Sequence, residues 1–183
     1  MNKIIGLLLT VCFSWSALAN TVVRMETTMG NIDIELNDEK APITAENFLK
    51  YVDSGFFEQT IIHRVVKNFV IQGGGLTQDM VEKPTLPPIK NEAKNGLSNL
   101  RGTIGMARTN EIDSASSQWF INTKDNTRLD YRDEDHYGYA VFGKVISGMD
   151  IVDMIEAVVV HDIGEYGDVP VTPIVVTSVK RVQ

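Results

Sequence analysis

His63, Arg64 and Gln72 interrupt an otherwise apolar run of this sequence. The run 61–75, IIHRVVKNFVIQGGG, carries His63 and Arg64 near its start and Gln72 before three glycines at its end. Its Val, Ile and Phe residues favour a half-buried strand, in which a charge is unusual. Regular alternation along a strand would place Arg64 on the same face as Ile62 and His63 on the opposite face. We therefore expect one of these two polar side chains to face a functional site.

Other common catalytic motifs are missing from the sequence. The histidines His63, His136 and His161 lie far apart, without the spacing of metal ligands. The glycines 73–75 are not followed by Gly-Lys-Ser/Thr, so they do not form a phosphate loop. There is no Gly-x-Ser-x-Gly elbow, and the one cysteine, Cys12, lies outside any such context. We expect no metal, no cofactor and no covalent nucleophile.

What remains is a set of uncharged polar and aromatic side chains around one arginine. They lie in 64–72, in GTIGMARTN at 102–110 and in SSQWFIN at 116–122. Taken alone, the aromatic residues are typical of a core, while Gln72 and Gln118 are typical of side chains that satisfy nearby backbone groups. Composition does not decide between this structural interpretation and a functional one.

The start of the chain is typical of a secretory signal peptide. Lys3 precedes the apolar stretch 4–13, and the small-x-small triplet Ala-Leu-Ala follows at 17–19. A buried N-terminal strand or a membrane span explains this pattern less well, because the apolar stretch is short for a span and carries the cleavage triplet. We therefore predict cleavage after Ala19 and an exported, periplasmic protein without a membrane anchor.

Cleavage would leave a single acidic domain, 20–183. Removal of residues 1–19 from the 183 leaves 164, a length suited to one domain with a sizeable core. Only Cys12 and the charge of Lys3 are lost, so the mature chain needs no disulfide and has 16 basic and 24 acidic residues, a net charge of −8 against −7 for the whole chain. An acidic surface does not favour nucleic acid or anionic membranes as partners, and we expect a monomer.

Short β-like runs dominate the rest of the sequence. They are 22–28, 31–36, 61–66, 69–73, 102–107, 118–122, 139–146 and 173–182. The tetrapeptide 28–31 is typical of a hairpin turn, and the Pro- and Asn-rich segment 76–100 of a surface loop. Two segments have helical spacing instead, PITAENFLKYVDSG at 42–55 and GMDIVDMIEAV at 148–158. Many strands with two helices predict a mainly β fold, a barrel or a sandwich whose open ends or faces the helices cover.

The order and spacing of these pieces resemble one family closely. IIHRVVKNFVIQGGG, GTIGMARTN, SSQWFIN and GYAVFGKVISGMDIVDMI are similar to segments of the cyclophilins, and among them of the exported bacterial type. The resemblance covers about 22–182, including the helical TAENF at 44–48. It implies a closed eight-stranded antiparallel β-barrel capped by two α-helices. It also implies a peptidyl-prolyl cis-trans isomerase that acts without a cofactor on proline-containing polypeptides and assists protein folding as a chaperone.

The same resemblance implies roles for particular residues. Among the catalytic positions, Arg64 matches the catalytic arginine of the family, Gln72 the glutamine that supports the arginine and the substrate, and Phe69 part of the apolar wall that receives the proline ring. The substrate-binding positions are Val70, Ala107, Arg108, Gln118, Phe120, Leu129 and Tyr139. Among them, the apolar residues would hold the proline ring, and the segment around Ala107 would pair with the peptide backbone. His63, which alternation turns away from Arg64, would be structural.

The chain departs from the family pattern at three places. Ile62 replaces a common phenylalanine, which implies only a packing change. Arg128 stands where relatives have Trp or Phe at the pocket rim, which predicts weaker binding of apolar peptides and of cyclosporin-type inhibitors. The charged loop 130–138 either tunes substrate choice or is a solvated turn.

Two other hypotheses follow from the same sequence. One is a binding module or chaperone on the same scaffold, in which Arg128 has weakened catalysis. The other is a β-barrel carrier of small apolar ligands, which requires a deep internal cavity. The isomerase is the hypothesis that the family resemblance favours.

Overall fold

A computed structural model describes residues 20–182. The predicted signal peptide, 1–19, lies outside the described residues. The described part contains ten β-strands and two α-helices. They are β1 (Val22–Thr27), β2 (Gly30–Leu36), α1 (Pro42–Asp53), β3 (Thr60–Val66), β4 (Val70–Thr77), β5 (Thr103–Met106), β6 (Trp119–Asn122), β7 (Val141–Ser147), α2 (Met149–Glu156), β8 (Val160–Ile163), β9 (Tyr166–Pro170) and β10 (Val175–Arg181).

Eight of the strands close into an antiparallel barrel. Their order around the barrel is β1-β10-β3-β4-β6-β5-β7-β2, and β2 pairs with β1 to complete it. The predicted barrel is therefore confirmed over the alternative of a sandwich, and each predicted strand matches one barrel strand. The sequence interpretation missed β8 and β9, which form a separate hairpin. Three of the four β8 residues are exposed, and the two buried residues of β9, Val169 and Pro170, are adjacent, so neither strand has the apolar alternation of a half-buried strand.

The interior is filled with aliphatic and aromatic side chains. On β2, alternation places Ile32, Ile34 and Leu36 inside, and all three are completely buried. Phe48 of α1 packs between Phe57 and Phe142, with ring centroids 5.1 and 5.3 Å away. A packed interior of this kind does not provide the deep cavity that an apolar carrier would need.

The two helices lie across the open ends of the barrel. Helix α1 contacts β7 and β10, and α2 contacts β2, β3 and β4, so each helix touches strands that are not neighbours in the barrel. Helix α1 begins at Pro42, as predicted, but its sequence supplies no capping side chain. The carboxylate of Glu92 instead accepts hydrogen bonds from the backbone N–H groups of Ile43 (3.1 Å) and Thr44 (2.7 Å). The segment that contains the predicted surface loop thus completes the helix.

A β-bulge at His63 interrupts the alternation of β3. Ile62 lies opposite Gly73 on β4, and Arg64 lies opposite the very next β4 residue, Gln72. Two residues of β3 therefore correspond to one of β4, with His63 as the extra residue. Ile62 is completely buried in the interior, whereas Arg64 lines a groove on the outside. The prediction that these two side chains share a face is wrong, because the bulge shifts the alternation by one residue.

Candidate active site

The outer faces of β3, β4 and β6 form the floor of a groove on the side of the barrel. Antiparallel pairing places Arg64 opposite Gln72, and Gln72 opposite Phe120, so one row of side chains crosses three strands. At this row the groove contains a pocket of about 290 Å³. The pocket is lined by Arg64, Phe69, Val70, Gln72, Ala107, Arg108, Phe120, Leu129 and Tyr139. These are nine of the ten predicted site residues, and the tenth, Gln118, is hydrogen-bonded to Gln72.

A chain of hydrogen bonds holds Arg64 at the edge of this pocket. Its Nη1 donates to Oε1 of Gln72 at 3.3 Å, and Nε2 of Gln72 donates to Oε1 of Gln118 at 2.9 Å. Within residues 20–182, none of the ion pairs includes Arg64. A guanidinium has five N–H donors, so this arginine is oriented by a neutral amide while it keeps donors for a ligand.

The opposite wall of the pocket is apolar. Val70 and Phe120 are buried, and Phe69 and Leu129 are half-buried. The ring of Phe120 meets the ring of Tyr139 edge to face, with 5.8 Å between their centroids. This wall offers a small apolar ring a contact surface from which water is excluded.

Glycines allow β6 to lie close enough to build the site. A Cβ atom on Gly75 would lie 2.7 Å from Cγ of Gln118, and one on Gly105 would overlap the ring of Phe120. At Gly74 the backbone has φ +88°, and a Cβ would lie 2.6 Å from Nε1 of Trp119. The three glycines at the end of the opening motif thus provide close approach for β6.

The segment after β5 borders the groove with its backbone and one arginine. The N–H of Ala107 donates to the carbonyl oxygen of Gln118 at 2.9 Å, so this N–H is not available to a peptide. The predicted pairing with a substrate backbone must therefore use the Ala107 carbonyl oxygen or the backbone of Arg108. The Arg108 side chain is fixed, because Nε donates to the Gly138 carbonyl oxygen at 2.9 Å and the guanidinium lies 4.8 Å from the Tyr139 ring centroid.

The loop 130–138 is anchored beside the groove. Lys94 forms an ion pair with Glu134 and lies 5.0 Å from the ring centroids of both Tyr131 and Tyr137. The loop ends at Gly138, whose carbonyl oxygen accepts the bond from Arg108. The exposed charges of the loop and its anchored end are both consistent with the two predicted alternatives, a solvated turn and a loop that influences the groove.

His63 is buried next to Arg64 in sequence. Its residue surface is 5% exposed, and Nδ1 has no hydrogen-bond partner among the described residues. Burial, together with the positive charge of Arg64, lowers the pKa of His63 from 6.5 to about 4. The imidazole is therefore neutral near pH 7 and does not exchange a proton there.

A small polar pocket beside Gln118 was not predicted. It has a volume of about 150 Å³, is lined by Gln118 and shares Gln72, Ala107 and Arg108 with the pocket in the groove. The remaining lining residues are Thr109, Ser114 and Ser116. The Ser- and Thr-rich composition of 109–117 was a weak signal for it, since the same composition is typical of any surface turn.

Two features are absent from the part of the chain that the structure describes. Between residues 20 and 182 no helix is both long enough and apolar enough to span a bilayer. In the same range, no three His, Cys, Asp or Glu side chains come together in a way that could bind a metal ion.

Comparison with known proteins gives consistent matches. A family model described as cyclophilin type peptidyl-prolyl cis-trans isomerase/CLD matches residues 22–181. The chain is 52% identical over 170 residues to peptidyl-prolyl cis-trans isomerase A of Dickeya dadantii, covering 93% of this chain and 89% of that one. It is 56% identical over 164 residues to the peptidyl-prolyl cis-trans isomerase of Acinetobacter baylyi, covering 90% and 87%. A crystal structure of a Cryptosporidium parvum cyclophilin type peptidyl-prolyl cis-trans isomerase has a TM-score of 0.72 at 24% identity, covering 90% and 98%, and supports the fold alone.

Proposed function

The chain belongs to the cyclophilin-type peptidyl-prolyl cis-trans isomerases, and we propose that Arg64 in the groove accelerates rotation about X-Pro bonds of exported polypeptides. The reaction breaks no covalent bond. Resonance gives the C–N bond double-bond character, so rotation has a barrier of roughly 18–20 kcal/mol and takes tens to hundreds of seconds without a catalyst. A catalyst must therefore bind the twisted amide more strongly than either planar form.

Arg64 is suited to bind the twisted form. When the amide twists, resonance is lost and the prolyl nitrogen becomes pyramidal and able to accept a hydrogen bond. A donor fixed beside this nitrogen stabilises the transition state more than the planar ground state. The guanidinium stays protonated at any physiological pH, so it donates a hydrogen bond without transferring a proton.

The apolar wall would contribute the rest of the stabilisation. A rate gain of about 10⁵ corresponds to about 7 kcal/mol. One hydrogen bond from a charged group is worth roughly 1.5–3 kcal/mol net, so it does not account for the whole gain. Phe69, Phe120 and Leu129 would hold the proline ring in a dry pocket while the preceding carbonyl group rotates, which strengthens the Arg64 contact and fixes its orientation.

One observation carries this proposal. Arg64 reaches the edge of the pocket, is oriented by the neutral amide of Gln72 and forms no ion pair within the described residues. A carboxylate partner would compete with the substrate for the same N–H donors.

Replacing Arg64 tests the proposal. In Arg64→Ala we expect kcat/KM for a proline peptide to fall by about 10² or more, the cost of removing one transition-state hydrogen-bond donor. The measurement is the cis-trans exchange rate by NMR, with circular dichroism to check the fold. Arg24→Ala, which removes an arginine of β1 outside the groove, is the control and should keep its activity. Full activity in a folded Arg64→Ala variant would refute the assignment.

Export is a separate part of the proposal. It is supported by the signal-like pattern in 1–19 and by the lack of cysteine in 20–183, which suits an oxidising compartment. We expect the protein recovered from the periplasm of a producing bacterium to begin at residue 20. N-terminal sequencing of the fractionated protein checks this, and an intact N-terminus confined to the cytoplasm would contradict it.

The clients, inhibitors and assembly state follow from the same proposal. As a chaperone, the protein would act on unfolded polypeptides, and acceleration of a proline-limited refolding reaction tests that role.

Arg128 at the rim predicts weak inhibition by cyclosporin-type compounds, measurable as a higher inhibitory concentration than for Arg128→Trp. We expect a monomer in analytical ultracentrifugation.

A binding module that lacks catalysis is the second candidate. It is favoured by one observation, that the Arg128 guanidinium covers the Phe69 ring at the pocket rim, with 4.8 Å between its central carbon and the ring centroid. Exchange measurements on a proline peptide separate the two candidates. Peptide binding without faster exchange would favour the module.

A further inference from the structure

The arginines of this chain differ in their partners. Arg24, Arg101 and Arg181 each donate hydrogen bonds to both oxygens of one aspartate carboxylate. Arg64, Arg108 and Arg128 lie around the pocket, and none of the ion pairs within residues 20–182 includes them. The whole chain has a net charge of −7. Its groove nevertheless carries three positive charges that form no ion pair within residues 20–182.

Arg128 is the exposed member of this group, and a pocket residue holds it in place. It lies in a single 3₁₀ turn, Thr127–Leu129, directly before the pocket residue Leu129. Its guanidinium lies over the ring of Phe69, which lines the same pocket, with 4.8 Å between its central carbon and the ring centroid. This contact does not use the N–H donors, and within residues 20–182 no ion pair occupies them, so they are available to a carboxylate.

The acidic side chains nearest to Arg128 in sequence are engaged elsewhere. Asp125 accepts a hydrogen bond from the backbone N–H of Arg101 at 2.9 Å. Asp130 accepts hydrogen bonds from the backbone N–H of Asn99 at 2.7 Å and from its side-chain amide at 2.8 Å. Within residues 20–182, neither carboxylate forms an ion pair with Arg128.

We propose that Arg128, held over the Phe69 ring, forms a subsite for a carboxylate, so that the enzyme prefers substrates with Asp or Glu directly beside the proline. Arg108 adds positive charge to the same pocket, although carbonyl oxygens already occupy part of its guanidinium. This proposal rests on the isomerase function and names a substrate class for it. The subsite selects among substrates, while Arg64 acts on the amide.

The preference is modest in size and sensitive to salt. Arg128 is exposed, so water and ions screen an ion pair formed there. We expect a Glu peptide to have a kcat/KM about threefold higher than its Gln twin, the size of an exposed ion pair. The ratio should approach one as the salt concentration rises, because screening weakens only the charged interaction.

Four peptides test the subsite. Two carry Glu or Gln immediately before the proline, and two carry Glu or Gln immediately after it, so the side of the subsite is also determined. For each pair, kcat/KM is measured by exchange NMR at low salt with wild type, Arg128→Gln and Lys180→Gln. Lys180→Gln is the charge-matched control. Lys180 is exposed on β10, opposite Arg24 of β1 in the strand register and outside the groove. We expect a ratio of about three for one pair in wild type and Lys180→Gln, and about one in Arg128→Gln.

The outcomes distinguish this proposal from the function on which it rests. Arg128→Lys keeps the charge and should keep a ratio above that of Arg128→Gln; equal ratios in these two variants would overturn the proposal. A wild-type ratio of one in both pairs would also overturn it, while fast exchange of the Gln peptides would leave the isomerase function standing. Failure of wild type to accelerate the Gln peptides would refute both.

Discussion

Arg24 on β1 and Arg64 on β3 are oriented by different kinds of partner. Arg24 donates to both carboxylate oxygens of Asp33, at 2.7 and 2.9 Å, and these hydrogen bonds lower the pKa of the Asp33 carboxyl group. Arg64 donates to the neutral amide of Gln72 at 3.3 Å. The charge of the first arginine is balanced by a carboxylate within the fold, whereas the second has no such partner within the described residues and keeps most of its donors for a ligand. The difference between a structural and a functional arginine here lies in its partner rather than in the strand that carries it.

Buried polar groups show the same division between the two sides of the barrel. Five buried side chains have a polar atom without a hydrogen-bond partner among the described residues: His63, Ser117, Trp119, Thr123 and Asn126. His63 lies on β3 and Trp119 on β6, while Ser117, Thr123 and Asn126 lie in the segments on either side of β6. Unsatisfied buried groups cost stability. Within residues 20–182, none of these five side chains lies on β1 or β2, the strands that carry the Arg24–Asp33 pair.

The largest effect that we predict is the change in the free energy of unfolding with pH that His63 causes. Its pKa is about 4 in the folded protein and near 6.5 in the unfolded chain. Between these values the unfolded chain binds a proton that the folded protein does not, so the free energy of unfolding falls as the pH drops. The full loss from pH 6.5 to 4 is about 3 kcal/mol. We expect His63→Gln to lose this slope in urea unfolding measured across the range.

The control for this measurement is His161→Gln. His161 is exposed, so its replacement should leave the slope between pH 6.5 and 4 as in wild type. Asp33 and Asp53 have lowered pKa values because each accepts hydrogen bonds from an arginine, so their stabilisation is lost progressively as the pH falls below about 5. That loss is common to wild type and both histidine variants. A wild-type slope in His63→Gln would contradict the buried, neutral state of His63.

A smaller effect is expected when Arg64 is given a carboxylate partner. Gln72→Glu would place a negative charge where the amide oxygen now accepts from Nη1, and would give Arg64 the kind of partner that Arg24 has. We expect kcat/KM to fall about tenfold, which corresponds to about 1.4 kcal/mol. Exchange NMR on an uncharged proline peptide measures it.

Gln118→Glu is the matched control for that variant. It introduces the same charge one hydrogen bond further from Arg64, and a carboxylate there still accepts the bond from Nε2 of Gln72. We expect a smaller fall in kcat/KM than for Gln72→Glu. Equal losses in the two variants would show that the charge acts through the groove in general and not through Arg64.

The smallest effect is expected when Arg24 is replaced. The Arg24 side chain is 43% exposed, and exposed ion pairs contribute little to stability. Arg24→Ala should lower the free energy of unfolding only slightly in urea titration, and by less than the pH effect of His63. Its exchange rate on a proline peptide should equal that of wild type. A loss of activity would break the distinction between the two kinds of arginine.

The sequence was sufficient for the repetitive features of the fold and for the composition of the site. Alternation located the barrel strands, helical spacing located both helices, and ten predicted residues lie around one groove. The roles assigned to these residues stay predictions until the variants are measured. What could not be predicted depends on contacts between distant segments. The Glu92 carboxylate at the start of α1 and the Arg128 side chain on Phe69 are examples, since neither leaves a local pattern.

The face on which Arg64 lies was missed for a related reason. A bulge is a property of two paired strands, because it appears only when the residues of β3 are counted against those of β4. The hairpin β8–β9 was missed because its buried and exposed residues do not alternate.

The bulge at residue 63 separates that position from the orientation of its two neighbours. Different side chains can occupy position 63 at some cost in stability, since the backbone there supplies the extra residue whatever its identity. Loss of that residue would make Ile62 and Arg64 consecutive, and regular alternation would still turn the first inward and the second toward the groove. Evolution and protein engineering could therefore shorten this strand by one residue at position 63 without turning the arginine away from the groove.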